Sequence, residues 1–362
     1  MREDLGYWIG FSLIRGVGPA KFSLLKERFG DLKRAWFASA SELRACGLDP
    51  STVKKIVSQR PLISPEREIE KLEREGVRAL TWDDPEYPSR LREIHDPPPV
   101  LYVKGELLPE DETSITVVGS RKCTSYGKEA ARRIVRELVE SGFTIVSGLA
   151  LGIDAIAHRA ALEAGGRTLA VLGCGLDIVY PKENRRLAGE IAESGALLSE
   201  YPLGTKPKPE HFPRRNRIMS GISLGVLVVE AKERSGALIT AEFALEQNRE
   251  VFAIPGSIFS PSSRGTNRLI KEGAKLVQSA EDVLEELNPH IIPKRLSAKP
   301  SLPASEDERE GRILSLLSEG PLHIDELCRR SGIPAGDMAG LLTLLEMKGA
   351  IREMGNKIYV LR

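Results

Sequence analysis

Cysteine is scarce: Cys46, Cys123, Cys174 and Cys328 are the only four in 362 residues, and no two form a CxxC pair. Their spacing argues against a zinc site and against a disulfide framework. Net charge is nearly absent, at +1, so affinity for a polyanion has to come from local patches. No apolar run is long enough to span a bilayer. The opening residues MREDLGYW lack the pattern of a secretory leader. A reducing, cytoplasmic setting is expected. Two phosphate-binding signatures are also missing. No GxxxxGK[ST] occurs, and no GxGxxG with a ribose-binding acid follows the first strand of the central sheet. Neither an NAD site nor a standard nucleotide site is expected, and no cofactor or metal. With 41% hydrophobic and 28% charged residues, the chain reads as globular, with length for two to three domains.

What is present concentrates in residues 203–240. The first part, to Arg217, holds Lys206, Lys208, Arg214, Arg215 and Arg217 with a single acid. Phe212 and Pro213 precede Arg214-Arg215-Asn216-Arg217. An apolar run follows at 224–229 and ends in Glu230. A basic, aromatic-bearing turn that feeds a buried strand suits a polyanion. A solvated basic loop before a core strand has the same composition.

Residues 1–62 read as a small helical domain of the helix-hairpin-helix or SAM-like kind. Apolar residues recur at helical spacing over 5–13, 19–29, 32–38 and 50–58. Arg15-Gly16-Val17-Gly18-Pro19 joins the first two. Such hairpins can offer backbone amides to a phosphate, and GxGP is also an ordinary helix stop. Residues 63–288 form the main domain. Short strands at 77–82 and 100–103 flank a proline-rich extended segment and make an ordered edge. From residue 115 a strand–loop–helix unit repeats, with strands at 115–119, 144–147, 168–173, 196–200, 224–229, 250–254 and 275–278. Short, continuous apolar runs mark a parallel sheet covered on both faces. The predicted fold class is α/β, a doubly wound Rossmann-like sheet whose ligands sit beyond the carboxyl ends of its strands. Residues 289–305 read as a linker. Residues 306–362 read as three helices and a hairpin across Gly355-Asn356, a winged helix. That segment carries eight Lys/Arg against ten Asp/Glu, and its third helix offers only Lys348. Protein contact is favoured there over duplex binding, which depends on phosphate neutralisation.

Asp154 and His158 stand one helical turn apart. They suit an acid–base pair or two metal ligands; a helix-terminal carboxylate beside a packed histidine is the plainer alternative. No third ligand or nucleophile accompanies them, so an enzyme is not expected. Glu230 is expected to brace the basic loop by pairing with Arg217. Arg121, Gly148 and the 214–217 run fall at strand ends along one edge, with Phe212 as a stacking face. A positive track with an aromatic platform is the recipe for single-stranded nucleic acid.

Over about 115–287 the chain resembles the DNA-processing protein A family, also called Smf. The resemblance is carried by Val-Gly-Ser-Arg at 118–121, Ser-Gly-Leu-Ala-Leu-Gly-Ile-Asp at 147–154 and Ala-Val-Leu-Gly-Cys-Gly-Leu-Asp-Ile-Val-Tyr-Pro at 170–181. Phe-Pro-Arg-Arg-Asn-Arg-Ile at 212–218, Ser-Gly-Ala-Leu-Ile-Thr-Ala at 235–241 and Gly-Thr-Asn-Arg-Leu-Ile at 265–270 extend it. The resemblance implies a non-catalytic protein of natural transformation and DNA recombination. Such a protein binds and protects single-stranded DNA, helps load the RecA recombinase onto it, and forms a homodimer, here between about Ser257 and Val277. By motif match the DNA contacts are Gly119, Ser120, Arg121, Gly148, Arg215, Asn216 and Arg217, with Phe212 added partly for stacking. Two rival classes are weighed. Nucleotide phosphoribohydrolases (lysine-decarboxylase-like proteins) share a similar sheet but carry Pro-Gly-Gly-x-Gly-Thr before a glutamate; here Ser235-Gly236-Ala237-Leu238-Ile239-Thr240 precedes Glu242 without that glycine cluster. A duplex-binding winged-helix regulator is opposed by the acidic balance of 306–362.

Overall fold

The computed structural model describes residues 4–287, 308–317, 322–348, 350–353 and 357–361. They fall into two compact units divided at residue 293. The expected linker at 289–305 and the Gly355-Asn356 hairpin tip lie outside the described residues.

The first unit opens with the helices Leu5–Leu13, Pro19–Phe29, Leu32–Phe37, Ala40–Ala45 and Pro50–Gln59. Their starts are set by local chemistry. Asp31, Ser39 and Asp49 each accept a backbone N–H of the helix they precede, and prolines occupy first-turn positions where no donor is needed. Gly16, at φ +96°, makes the turn between the first two helices that a side chain would strain. These helices do not keep a core to themselves. Trp8 stacks on Phe22 at 5.5 Å, and both meet Trp82 edge-on at 5.7 and 6.2 Å. The same apolar cluster takes in Val100, Tyr102, Leu172 and Leu197 of the sheet domain.

Nine strands form the sheet: β1 (Arg78–Thr81), β2 (Val100–Gly105), β3 (Ser114–Val118), β4 (Thr144–Ser147), β5 (Thr168–Val171), β6 (Ala196–Ser199), β7 (Gly225–Val228), β8 (Glu250–Ala253) and β9 (Lys275–Leu276). Their order is β1-β2-β6-β5-β4-β3-β7-β8-β9. From β6 to β9 all neighbours are parallel. β2 pairs antiparallel with both β1 and β6, which makes the expected ordered edge part of the sheet. Strands β3, β4, β5, β6 and β7 are buried along their whole length, as their continuous apolar runs require. The chain steps outward from β3 to β6, then returns past β3 to β7. This reversal puts a topological switch between β3 and β7, where doubly wound sheets leave a crevice. The crossover that makes the return contains the helix His211–Ile222.

The second unit is a winged helix. The helices Glu308–Leu317, Ile324–Ser331 and Ala335–Met347 pack around Ile313, Leu314, Leu327, Met338 and Leu342. A small antiparallel sheet of β10 (Leu322–His323), β11 (Ile351–Glu353) and β12 (Ile358–Leu361) completes it in the order β10-β12-β11. The third helix exposes Gly336, Ala339, Gly340, Thr343 and Leu344. Lys348, which follows it, pairs with Glu310 at 2.8 Å.

Candidate nucleic-acid interface

A cleft of ≈ 540 Å³ opens at the switch point. Val118 ends β3 at its floor, and Gly119, Ser120 and Arg121 form one wall. Gly119 lies so close to the helix Ile153–Glu163, which follows β4, that a Cβ would sit 2.6 Å from Ile153, which only glycine tolerates. Gly152, at φ +80°, packs against Ser120 in the same way: a Cβ would lie 2.2 Å from the Ser120 carbonyl oxygen. The neighbouring β4 end holds Leu149 at φ 57°, a left-handed conformation costing about 1–3 kcal/mol. Asn184 holds it there by donating to the Leu149 carbonyl at 2.8 Å.

The helix His211–Ile222 forms the second wall. The sequence predicts a basic turn running into a helix at 215–220; the helix begins earlier, at His211, and its geometry decides where each arginine goes. Successive helical residues point about 100° apart, so Arg215 and Arg217 diverge. Arg215, 4% exposed, runs under the strand ends. It donates to the Gly148 carbonyl at 2.7 Å and to the Val171 carbonyl. Arg217, 2% exposed, points to the β6 side, where Glu200 accepts from it at 2.6 Å and the Asp96 carbonyl at 2.6 Å. Asn216 lines the cleft and donates to the Gly236 carbonyl at 3.3 Å. Phe212 also lines it, with Tyr180 at 5.6 Å on one side and the Arg121 guanidinium at 5.8 Å from its ring centre.

Of the sequence-predicted residues, Gly119, Ser120, Arg121, Phe212, Arg215 and Asn216 thus meet at one cleft. Gly148 touches it through Arg215, and Arg217 does not line it. The role expected for Glu230 is corrected. Glu230 does not pair with Arg217; it accepts from the Thr124 backbone N–H at 2.9 Å and from the Thr124 hydroxyl. The end of β7 faces the loop after β3, so Glu230 braces the Ser120–Arg121 wall instead of the basic segment. Sequence reasoning also missed a third wall. Exposed Lys232 and Arg234 precede Ser235, which caps the helix Gly236–Glu246 by accepting from Ala237. All three line the cleft, as do Gly236 and Thr240. The available signal was positional: two cations between a strand and a helix N-terminus, on the strand next to β3.

Charge is layered. Below the surface lie Asp154 and Arg215. Burial raises the Asp154 carboxyl above its usual range, opposed first by Arg215. Burial lowers Arg215 in turn, opposed by Asp154. The two nearly offset each other, and exposed Arg121, Lys232 and Arg234 leave the cleft mouth positive. Asp154 and His158 do not act on each other as a pair. Asp154 accepts from the Ala150 amide at 3.3 Å. His158 Nδ1 lies 2.7 Å from the Thr168 hydroxyl, which itself donates to the Ile145 carbonyl, so Nδ1 carries the proton and Nε2 is bare. Burial pushes the His158 pKa down to about 3. No group of three His, Cys, Asp or Glu suited to a metal occurs among the described residues.

Residues 78–288 match the family described as DNA recombination-mediator protein A, and residues 297–357 match the DprA winged helix domain. Protein Smf of Synechocystis is 37% identical over 97% of this chain and 97% of its own length. DNA processing protein DprA of Bacillus subtilis is 49% identical over 59% of this chain and 72% of its own. Among solved structures, DNA processing protein A of Streptococcus pneumoniae superposes with a TM-score of 0.69 at 39% identity, over 78% of this chain and 97% of that one. DNA processing protein A of Helicobacter pylori gives 0.53 at 31% identity, over 59% and 96%. Matched by the family's domain over more than half its length, and by a relative over nearly all of it, the chain belongs to the DNA recombination-mediator protein A (DprA/Smf) family.

Proposed function

We propose that this protein binds single-stranded DNA in the cleft at the β3–β7 switch, shields it, and helps load the RecA recombinase onto it. The observation that carries the reading is the cleft mouth: exposed Arg121 lies over the Phe212 ring, which packs on Tyr180, and lines the same ≈ 540 Å³ cleft as Lys232 and Arg234. Cations that track a backbone beside aromatic faces give sequence-tolerant affinity for single strands. The N-terminus of Gly236–Glu246 adds a partial positive charge to the same wall. Two buried polar atoms that line the cleft, Arg215 Nε and Thr240 Oγ1, have no protein partner among the described residues. The Helicobacter pylori relative is described by its single-stranded-DNA binding mode, which agrees with this assignment. RecA enters as the recombinase that a recombination mediator serves. A homodimer between about Ser257 and Val277 fits the apolar side chains Ile258, Phe259 and Leu276, exposed by 78%, 88% and 39%.

Rival readings fare less well. A phosphoribohydrolase needs an accessible carboxylate in the cleft to act on a ribose; Glu242 is exposed on its helix, outside the lining, and Asp154, which does line the cleft, is buried beside Arg215 and accepts from the Ala150 amide. A duplex reader needs cations on the third helix of the winged unit, whose exposed residues are small, apolar or acidic (Asp337 and Glu346).

Arg121→Ala is the clean test, because Arg121 is exposed and its loss leaves the fold within about 0.5 kcal/mol of wild type. Fluorescence anisotropy on a thymidine oligomer should show affinity falling at least about tenfold, with a shallower salt dependence. Unchanged affinity would overturn the site. Arg215→Ala and Arg217→Ala are poorer probes. The first strips the donor from two buried carbonyls, and the second takes from buried Glu200 its closest partner, leaving only the 3.5 Å pair to Arg214, where losing a buried charge's partner costs up to about 3–5 kcal/mol.

A further inference from the structure

The helices Ala40–Ala45 and Pro50–Gln59 pack against each other and leave an open groove of ≈ 370 Å³. Ala40, Pro50, Val53 and Val57 give it an apolar lining. Val53 and Val57 stand at i and i+4 of the second helix and share one face; Val53 is buried, and Val57 is 36% exposed. Arg44 on one helix and Lys54 on the other also line the groove, and no acid does. Both cations are exposed, and neither has an acidic partner among the described residues. Capping fixes the two helices: Ser39 accepts from the Glu42 amide at 3.2 Å and Asp49 from the Thr52 amide at 3.0 Å. Where the second helix ends, Arg60 donates to the Trp36 and Ala38 carbonyls at 2.7 Å each, which sets residues 60–62 beside 36–38. Phe37 and Leu62 there are 70% and 84% exposed, the most of any large apolar side chain described up to residue 62. Apolar surface left open in this way marks a place of contact.

We propose that this groove docks an acidic amphipathic helix of a partner protein, whose apolar side chains enter against Val53 and Val57 while its carboxylates meet Arg44 and Lys54. The groove shares no residue with the DNA cleft. An amphipathic helix carries apolar anchors along one face, the shape that an apolar groove receives. Charge selects among such helices. A neutral one would cover Arg44 and Lys54 without pairing them, which costs desolvation, and a basic one would be repelled. A nucleic-acid strand would satisfy the cations, but its bases need aromatic faces, and the lining has none. A second copy docked on a two-fold axis would set Arg44 and Lys54 against their own counterparts.

The test uses the full-length protein with two variants at exposed positions, Arg44→Gln/Lys54→Gln and Val57→Ser. The probe is a fluorescein-labelled helical peptide with leucines at i, i+3, i+4 and i+7 and glutamates on the flanks; a second peptide carries lysines in place of the glutamates. In anisotropy titrations wild type should bind the acidic peptide at least about tenfold more tightly than the basic one. The charge variant should lose at least about threefold in affinity for the acidic peptide, and its difference from wild type should shrink at about 0.5 M salt. Val57→Ser should lose at least about threefold at either salt. Both variants should keep the wild-type urea midpoint and the wild-type affinity for a thymidine oligomer. No binding of the acidic peptide by wild type, or equal affinity in the charge variant, would overturn the docking site. A charge variant that binds the oligomer more weakly would overturn it in favour of nucleic acid, and one that sediments as a smaller assembly than wild type would overturn it in favour of a second copy.

Discussion

His158 shows how far a residue's type can mislead about its work. A histidine one turn after an aspartate reads as chemistry. In the fold it is fully buried and tied to Thr168, and burial with the positive charge of Arg215 keeps it neutral. That has a measurable consequence. Its pKa falls from 6.5 to about 3 on folding, so between those values the unfolded chain binds more protons than the folded one. Stability is complete above the unfolded value and is lost as pH falls toward 3, at about 1.4 kcal/mol per pH unit for one group. Asp154 and Glu200, both raised by burial, act in the opposite sense, contributing stability below their unfolded values that is lost as pH rises. His158→Asn keeps a donor toward Thr168 but cannot be protonated. Urea unfolding midpoints between about pH 4 and 6 should therefore slope less steeply for the variant than for wild type, whatever constant offset the smaller side chain adds. Parallel slopes would mean that His158 is not held neutral. The arginines teach the same lesson: their presence was legible in residues 214–217, but which of them is buried depends on strand ends reached only in three dimensions.

The elements were read most securely where burial is uniform. Strands β3 to β8 are runs of apolar residues between glycine-bearing turns, and each lies within a residue or two of its expected place. The helix His211–Ile222 escaped in its first half because polarity argued for solvent, although Pro213 sits within its first turn, where the missing N–H costs nothing. Gly127 is a comparable case in the helix Ser125–Glu140. Alanine there would raise helix propensity by about 1 kcal/mol. Its Cβ, however, would lie 2.4 Å from the Glu230 carboxylate, which is 2% exposed and fixed by Thr124. Overpacking of that kind costs about 1–3 kcal/mol, so the clash should win. Gly127→Ala should unfold at lower urea than wild type and bind single-stranded DNA more weakly, because Glu230 positions the Ser120–Arg121 wall. A midpoint equal to or above wild type would show that the loop can shift without loss.

At the scale of the molecule, the sequence suggests a helical domain that ends at residue 62, and composition supports that view: residues 1–60 carry eleven Lys/Arg against six Asp/Glu. What composition could not show is the core, because the partners are distant in sequence. Trp8 and Phe22 meet Trp82, and Ser12 shares a hydrogen bond with Tyr102 at 3.2 Å. Deleting residues 1–62 would bare Val100 and Tyr102 of β2, now at most 2% exposed, and Trp82, which the first two helices cover. Each such side chain is worth about 1.5–3 kcal/mol when buried, so these three alone approach the lower end of the 5–15 kcal/mol that holds a typical domain together. The truncated chain should aggregate, or lose cooperative unfolding, in light scattering and circular dichroism. Removal of residues 294–362 should have the opposite outcome. The DNA cleft and its supporting helices lie within the first unit, so single-strand affinity should stay within about twofold of wild type. A monodisperse, cooperatively folding product of the first deletion would show that the shared core is dispensable, and the first 62 residues would then stand as a separate domain.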